Sequence, residues 1–162
     1  MANPGMTLDI GRRLELAVIE LWKDYGAISD IVTTVSNIRR RRDRTKDTDY
    51  PTACPDADGL AELGYHFGWY RGGLLCLGYT WAPTDKSGET LAKLIGAFRG
   101  WAQQTDLPAQ INATTSAQAA ETEIDVREVL CEGSVFDETD GDMRAKVLPV
   151  TVLARPSQTV TT

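Results

Sequence analysis

The residues of this sequence that could do chemistry are few and scattered. Its one histidine, His66, lies in an aromatic, glycine-rich stretch, and its cysteines are Cys54, Cys76 and Cys131. The sequence contains no nucleophile motif of a serine hydrolase, no phosphate-binding glycine loop and no His-Glu-x-x-His zinc motif. A zinc site needs cysteine and histidine ligands at short spacing, so these four residues could form one only if folding gathered them. We therefore predict no catalytic residue, no metal site and no cofactor, and we interpret His66 as a structural or surface histidine.

Aspartates offer a second kind of chemistry, because carboxylates bind hard cations such as Ca²⁺. Asp56 and Asp58 form one group, and Asp137, Asp140 and Asp142 form another. The second group lacks the twelve-residue pattern of a calcium loop and its closing glutamate. We predict that it is a solvated acidic turn.

Charge is distributed unevenly along the chain, whose net charge is −6. A basic run from Asn37 to Lys46 contrasts with an acidic segment from Glu121 to Asp142. The two charges could therefore attract each other, within a subunit or between copies of the chain. Three interpretations of the basic run stay open: a loop that docks on an acidic neighbouring subunit, a solvated loop, or a segment that binds nucleic acid through phosphates. The candidate interface residues are Arg39, Arg40, Arg41, Arg42 and Arg44 on the basic side, and Glu132, Asp137, Glu138, Asp140 and Asp142 on the acidic side.

Length and composition indicate one globular domain. The 162 residues are 42% apolar and 25% charged, which suits a protein with a sizeable core. We expect a domain over residues 1–156, with a loop at about 37–49 and a polar tail at 157–162. No apolar run is long enough to span a bilayer, and no signal-peptide pattern opens the sequence, so we expect a protein made in the cytoplasm with three reduced thiols. One disulfide stays open as the alternative.

Hydrophobic periodicity predicts the elements that position these residues. A first helix is expected from about Leu8 to Tyr25 and a strand from Leu74 to Trp81. The clearest amphipathic helix is expected between Lys86 and Gln104, where one stripe contains Leu91, Leu94, Ile95, Phe98 and Trp101.

The rest of the chain is expected to be less regular until its last long stretch. The segment from Thr52 to Leu63 could form a short edge strand, a loop, or both, and Ala109 to Ala120 is expected to be a loop. A closing hairpin is expected, with strands Ile124–Phe136 and Met143–Ala154 around the acidic turn Asp137–Asp142. This order predicts an α+β fold, in which helices pack on a mostly antiparallel sheet.

The order of elements, together with certain residues, resembles the bacteriophage tail-terminator family. The resemblance covers residues 8–156: the first helix, the pair Tyr50-Pro51 before a strand, the strand Leu74–Trp81, the amphipathic helix and the closing hairpin. In the hairpin, Glu132-Gly133-Ser134 ends one strand, and Met143-Arg144 opens the next.

The resemblance implies a structural virion protein with no active site, located in the tail or neck. Such proteins form a hexameric ring on the last ring of the tail tube, stop its polymerisation and offer a joining surface to the head connector. The implied partners are copies of the same chain, the tail tube protein and the connector or neck proteins, with non-specific contact to passing DNA and no membrane.

Other functions stay open beside this one. A head-completion or connector-adaptor protein is an alternative within the same assembly. A small enzyme using His66, or a nucleic-acid-binding factor using Arg39 to Arg44, is an alternative from a different class.

Overall fold

A computed structural model of the chain describes residues 10–36, 50–57, 60–62, 69–118, 124–131, 133–140 and 142–156, and only the backbone at 61, 62 and 138–140. The described helices are α1 (Ile10–Asp24), α2 (Gly26–Ser29), α3 (Glu89–Ala102) and α4 (Leu107–Asn112). The described strands are β1 (Thr34–Val35), β2 (Thr52–Asp56), β3 (Ala61–Glu62), β4 (Tyr70–Trp81), β5 (Ile124–Leu130), β6 (Phe136–Asp140) and β7 (Met143–Pro156).

These strands form one sheet in the order β1-β2-β4-β7-β5, with β3 beside β4 and β6 beside β7. Only the short β1–β2 pair is parallel, and the other pairs are antiparallel. The predicted α+β class with a mostly antiparallel sheet is therefore confirmed. The two longest strands, β4 and β7, pair along their whole common length at the centre of the sheet.

The helices and one face of the sheet enclose the main core. The predicted stripe of α3 is buried, and α3 packs on β4 and β7. It packs tightly over Gly78, where an added Cβ would lie 2.8 Å from a methyl group of Leu94. Trp22 of α1 stacks on Phe98 of α3 at 4.7 Å between ring centroids, so this glycine and these aromatic rings fix how the helices sit.

The opposite face of the sheet has a smaller apolar cluster at one end. Burial along β7 shifts from one face to the other between Val147 and Leu148. Residues Leu148, Val150, Val152 and Ala154 face the main core, whereas Met143, Ala145 and Val147 join the second cluster with Tyr50, Cys54, Leu77 and Tyr79. The alternation expected for β7 is confirmed, and both of its faces bury apolar side chains.

The predicted closing hairpin is partly wrong. Its first strand is two strands, because β5 ends at Leu130 and β6 begins at Phe136. Residues Asp137 to Asp140 belong to β6 rather than to a turn, since pairing continues until Asp140 meets Met143. The cause of the interruption is Pro149 of β7, which lies opposite the gap and has no N–H to donate to a neighbouring strand.

Two further expectations need correction. The segment after α3 is not all loop, because Leu107–Asn112 is helical with Pro108 in its first turn. Proline is tolerated there, since the first amides of a helix have no partner within the helix. The strand expected at Leu74 begins at Tyr70, so Gly72 and Gly73 lie within it and pair with Val152 and Thr151.

Candidate interaction surfaces

The predicted contact between basic and acidic interface residues involves residues that the structure does not describe. Arg39, Arg40, Arg41, Arg42, Arg44 and Glu132 lie outside the described residues, as does His66. Of the acidic set, Asp137 and Asp142 are exposed, and Glu138 and Asp140 are described only as backbone in β6. The ring contact predicted from charge stays a prediction.

The described acidic residues contact neighbouring parts of the sheet. The carboxylate of Asp137 lies 3.5 Å from Nζ of Lys146 on β7. The carbonyl oxygen of Asp142 accepts a hydrogen bond from the amide of Ala82, at 2.7 Å. A solvent-exposed ion pair of this kind contributes little to stability, so the Asp137 carboxylate stays available to another partner.

The outer edge of β5 is closed at its beginning by one side chain. Asn112, the last residue of α4, donates through Nδ2 to the carbonyl of Val126 at 2.9 Å, and its Oδ1 accepts from the amide of Val126 at 2.7 Å. The amide of Ile124 donates to the carbonyl of Ala117. The amide side chain thus takes the place of a neighbouring strand, which is one way to protect a sheet edge.

Beyond Val126 the edge is different. A bulge at Arg127 shifts the register, and β5 then continues to Leu130 beside a recess of about 390 Å³. The recess is lined by Gln103, Gln104 and Thr105 from the α3–α4 connection and by Arg127 and Val129 from β5. Glu128, Pro108, Leu130 and Cys131 line it as well, so its lining is mixed in polarity and in charge.

An arginine–tryptophan group lies at the start of β4. The guanidinium of Arg155 lies 4.8 Å from the ring centroid of Trp69, and that of Arg127 lies 5.8 Å from it. Asp125 pairs with both arginines, at 3.3 Å and 4.0 Å. The sequence alone does not indicate this group, because its residues come from parts of the chain that only the order of strands in the sheet brings together.

The cysteines are free thiols. Burial, with the neighbouring Cys131, raises the pKa of the Cys76 thiol. A thiol with a raised pKa stays protonated and is a poor nucleophile. Among the described residues, no three histidine, cysteine, aspartate or glutamate side chains are placed to hold a metal ion.

Phe136 stands out on the surface of the described residues. It is the one large apolar side chain there that is exposed, at 44%, and it belongs to β6 at the edge of the sheet. Aromatic side chains are enriched in protein–protein contacts, which makes this edge a candidate interaction surface.

No family model matches the chain, and neither does any curated protein. No helix in the described part of the chain is both long enough and apolar enough to cross a membrane.

Proposed function

We propose that this chain is a tail terminator, a structural protein that forms a ring on a bacteriophage tail tube, stops its polymerisation and offers a joining surface to the head connector. The observation that carries the proposal is the order of elements. An N-terminal helix, Tyr50-Pro51 before β2, the long β4 and the amphipathic α3 follow the order on which the resemblance to that family rests. The closing hairpin departs from it, because β5 ends at Leu130, before Glu132-Gly133-Ser134.

The distribution of charge supports a ring. A ring needs heterologous contacts, in which one patch of each subunit meets a different patch of the next. The basic run Arg39–Arg44 and the acidic strand β6 with its turn are two such patches of opposite sign on one chain. Asp137 and Asp142 are exposed and so accessible to a neighbour.

The first test is assembly. The purified chain has a mass of 17.8 kDa, so native mass spectrometry should find a species near six times that mass, either alone or after tail tubes are added. Electron microscopy should place this species at one end of each tube. A chain that stays monomeric and never caps or binds tubes would refute the proposal.

Charge exchange tests the contact itself. Changing Arg39, Arg40, Arg41 and Arg42 to Glu should prevent ring formation, and changing Asp137, Asp140 and Asp142 to Lys should do the same. Combining both sets in one chain should restore the ring, because every interface would again join opposite charges. If the combined variant assembles no better than either parent, the two patches are not partners.

Binding to connectors and an assay of tube growth distinguish the alternative within the same assembly. A connector-adaptor protein should bind purified connectors and leave tail tubes growing. A tail terminator should stop the addition of tube subunits in a polymerisation assay.

A further inference from the structure

A pocket of about 310 Å³ lies between the start of β2, the end of β4 and the first turn of α3. Thr52 pairs with Tyr79, so the two residues before β2, Tyr50 and Pro51, lie beside the end of β4. The turn after β4 closes the other side. This volume is at the lower end of the roughly 300–1,000 Å³ that is typical of small-molecule pockets. The pocket therefore suits a guest of about the size of one sugar ring.

One buried polar group of this pocket lacks a partner. Thr80 is 1% exposed, yet its hydroxyl makes no hydrogen bond to any described residue. A buried hydroxyl without a hydrogen bond destabilises a fold, and most such groups in folded proteins have a partner. Because Thr80 lines the pocket, a polar guest would supply the missing hydrogen bond.

The other polar groups of the pocket are mainly acceptors. They are the hydroxyls of Thr84 and Thr90 and the carboxylate of Asp85. The hydroxyl of Thr84 donates to the carbonyl of Trp81 at 2.9 Å, so its lone pairs remain to accept. The buried carboxylate of Asp85 accepts from the amides of Thr90 and Leu91, at 3.1 and 3.2 Å, and a carboxylate has further lone pairs. These groups suit a guest that carries several O–H donors.

The charges around the pocket favour a neutral guest. The structure describes every residue that lines it, and none is a lysine, arginine or histidine that would attract an anion. The charge of Asp85 is already compensated, because its carboxylate caps the positive end of α3. The guanidinium of Arg144 also donates to the backbone carbonyl of Asp85, at 3.1 Å. A cationic guest would be repelled by this guanidinium and by the helix end.

The remaining lining consists of the rings of Tyr50, Pro51 and Trp81. The ring centroids of Tyr50 and Trp81 lie 5.8 Å apart. Rings of this kind offer apolar surface next to polar groups. A neutral compound that combines an apolar C–H face with several hydroxyl groups is a monosaccharide in its ring form.

We infer that this pocket binds a neutral monosaccharide, with the hydroxyl of Thr80 and the carboxylate of Asp85 as its hydrogen-bond partners. The inference does not rest on the proposed function, since it concerns a site inside one subunit.

The test is a titration of the isotope-labelled chain with D-glucose, D-galactose and D-mannose, followed by NMR. The indole resonance of Trp81 and the amide resonances of Thr80 and Thr84 should shift saturably with at least one sugar. The indole resonances of Trp22 and Trp101 should not shift, because both side chains are buried in the main core. Methylammonium and inorganic phosphate are the charged control probes and should have no effect. Saturable binding of either charged probe at these resonances, or no response to any of the sugars, would overturn the inference.

Thr80→Val tests the residue that carries the argument. It should weaken sugar binding by about fivefold, the effect of one hydrogen bond. The melting temperature should stay the same or rise, because the lost hydroxyl makes no bond in the free chain. Thr114→Val is the matched control outside the pocket. Its hydroxyl donates to the carbonyl of Ile111 at 2.8 Å and accepts from the amide of Ala117 at 3.1 Å, so this change should lower the melting temperature and leave sugar binding unchanged.

Thr84→Ala gives a second measurement on an exposed turn, where a change of fold is not expected. It removes an acceptor and should weaken sugar binding by a few-fold. If Thr80→Val and Thr84→Ala both bind sugar as the wild type does, the sugar does not occupy this pocket and the inference is wrong. Normal ring formation by Thr80→Val would leave the proposed function standing, and sugar binding by a chain that forms no ring would leave this inference standing.

Discussion

Removing the Asn112 side chain should cost more stability than any other single polar truncation in α4. Its two bonds to the backbone of Val126, at 2.7 and 2.9 Å, are half-buried and join α4 to the edge of the sheet. A net hydrogen bond contributes about 0.5–1.5 kcal/mol, so Asn112→Ala should lower the free energy of unfolding by about 1–3 kcal/mol. A third bond, from Nδ2 to the carboxylate of Asp125 at 3.1 Å, would be lost as well.

The assay is urea unfolding followed by circular dichroism, with hydrogen exchange of the Val126 amide as the local measurement. That amide should exchange faster in Asn112→Ala, because its acceptor has gone. Gln110→Ala is the matched control on the same helix: its Nε2 donates to the exposed Asp106 carboxylate and to Gln104, and we expect a loss below about 1 kcal/mol. A cost for Asn112→Ala below about 0.5 kcal/mol, or an unchanged exchange rate at Val126, would refute the idea that Asn112 closes the edge.

Two more predictions concern a carboxylate and a glycine. Burial acts to raise the pKa of Glu20, but hydrogen bonds from Ser116 and Thr115 outweigh it, so the pKa lies below its ordinary 4.5. A lowered pKa means that the ionised carboxylate stabilises the fold above pH 4.5, and that this stability is lost as the pH falls through the folded-state pKa. Glu20→Gln should therefore be less stable than the wild type at pH 7, and the difference in unfolding free energy should disappear on acidification. A difference that stays constant from pH 7 to pH 3 would contradict this. Gly133→Ala should destabilise by about 1–3 kcal/mol in thermal unfolding, because its Cβ would lie 2.2 Å from Cγ of Pro149. Gly96→Ala, with open space around its Cβ, is the control and should be neutral or stabilising, and equal effects of the two changes would show that the approach to Pro149 is not tight.

Sequence periodicity was sufficient to predict the elements that bury only one face. The stripe from Leu91 to Trp101 predicted α3 correctly, because a helix that buries a single face repeats its apolar residues at helical spacing. The same reasoning failed at α4. Pro108 marks the end of a helix in most positions, and only the fold shows that here it lies in the first turn of a new one.

The open edge of the sheet could not be predicted from the sequence, for a different reason. Which backbone groups of β5 point outward depends on the bulge at Arg127, which shifts the pairing by one residue. An alternating pattern of side chains gives the two faces of a strand, but it does not give the direction of its N–H groups relative to a particular neighbour. The Arg155–Trp69 contact was hidden similarly, since strands distant in sequence supply its two members.

The central place of β7 has a consequence for the order of folding. Among the described strands it is the last in sequence, yet it lies between β4 on one side and β5 and β6 on the other. Its register with β4 pairs Tyr70 with Ala154 and Trp81 with Met143. Because these partners are far apart in sequence, a long stretch of chain must be looped before they meet, and such pairings form slowly. During synthesis, this edge of β4 stays open until residues 143–156 have emerged from the ribosome. A chain whose synthesis pauses before that point would expose this apolar edge and would be prone to aggregate.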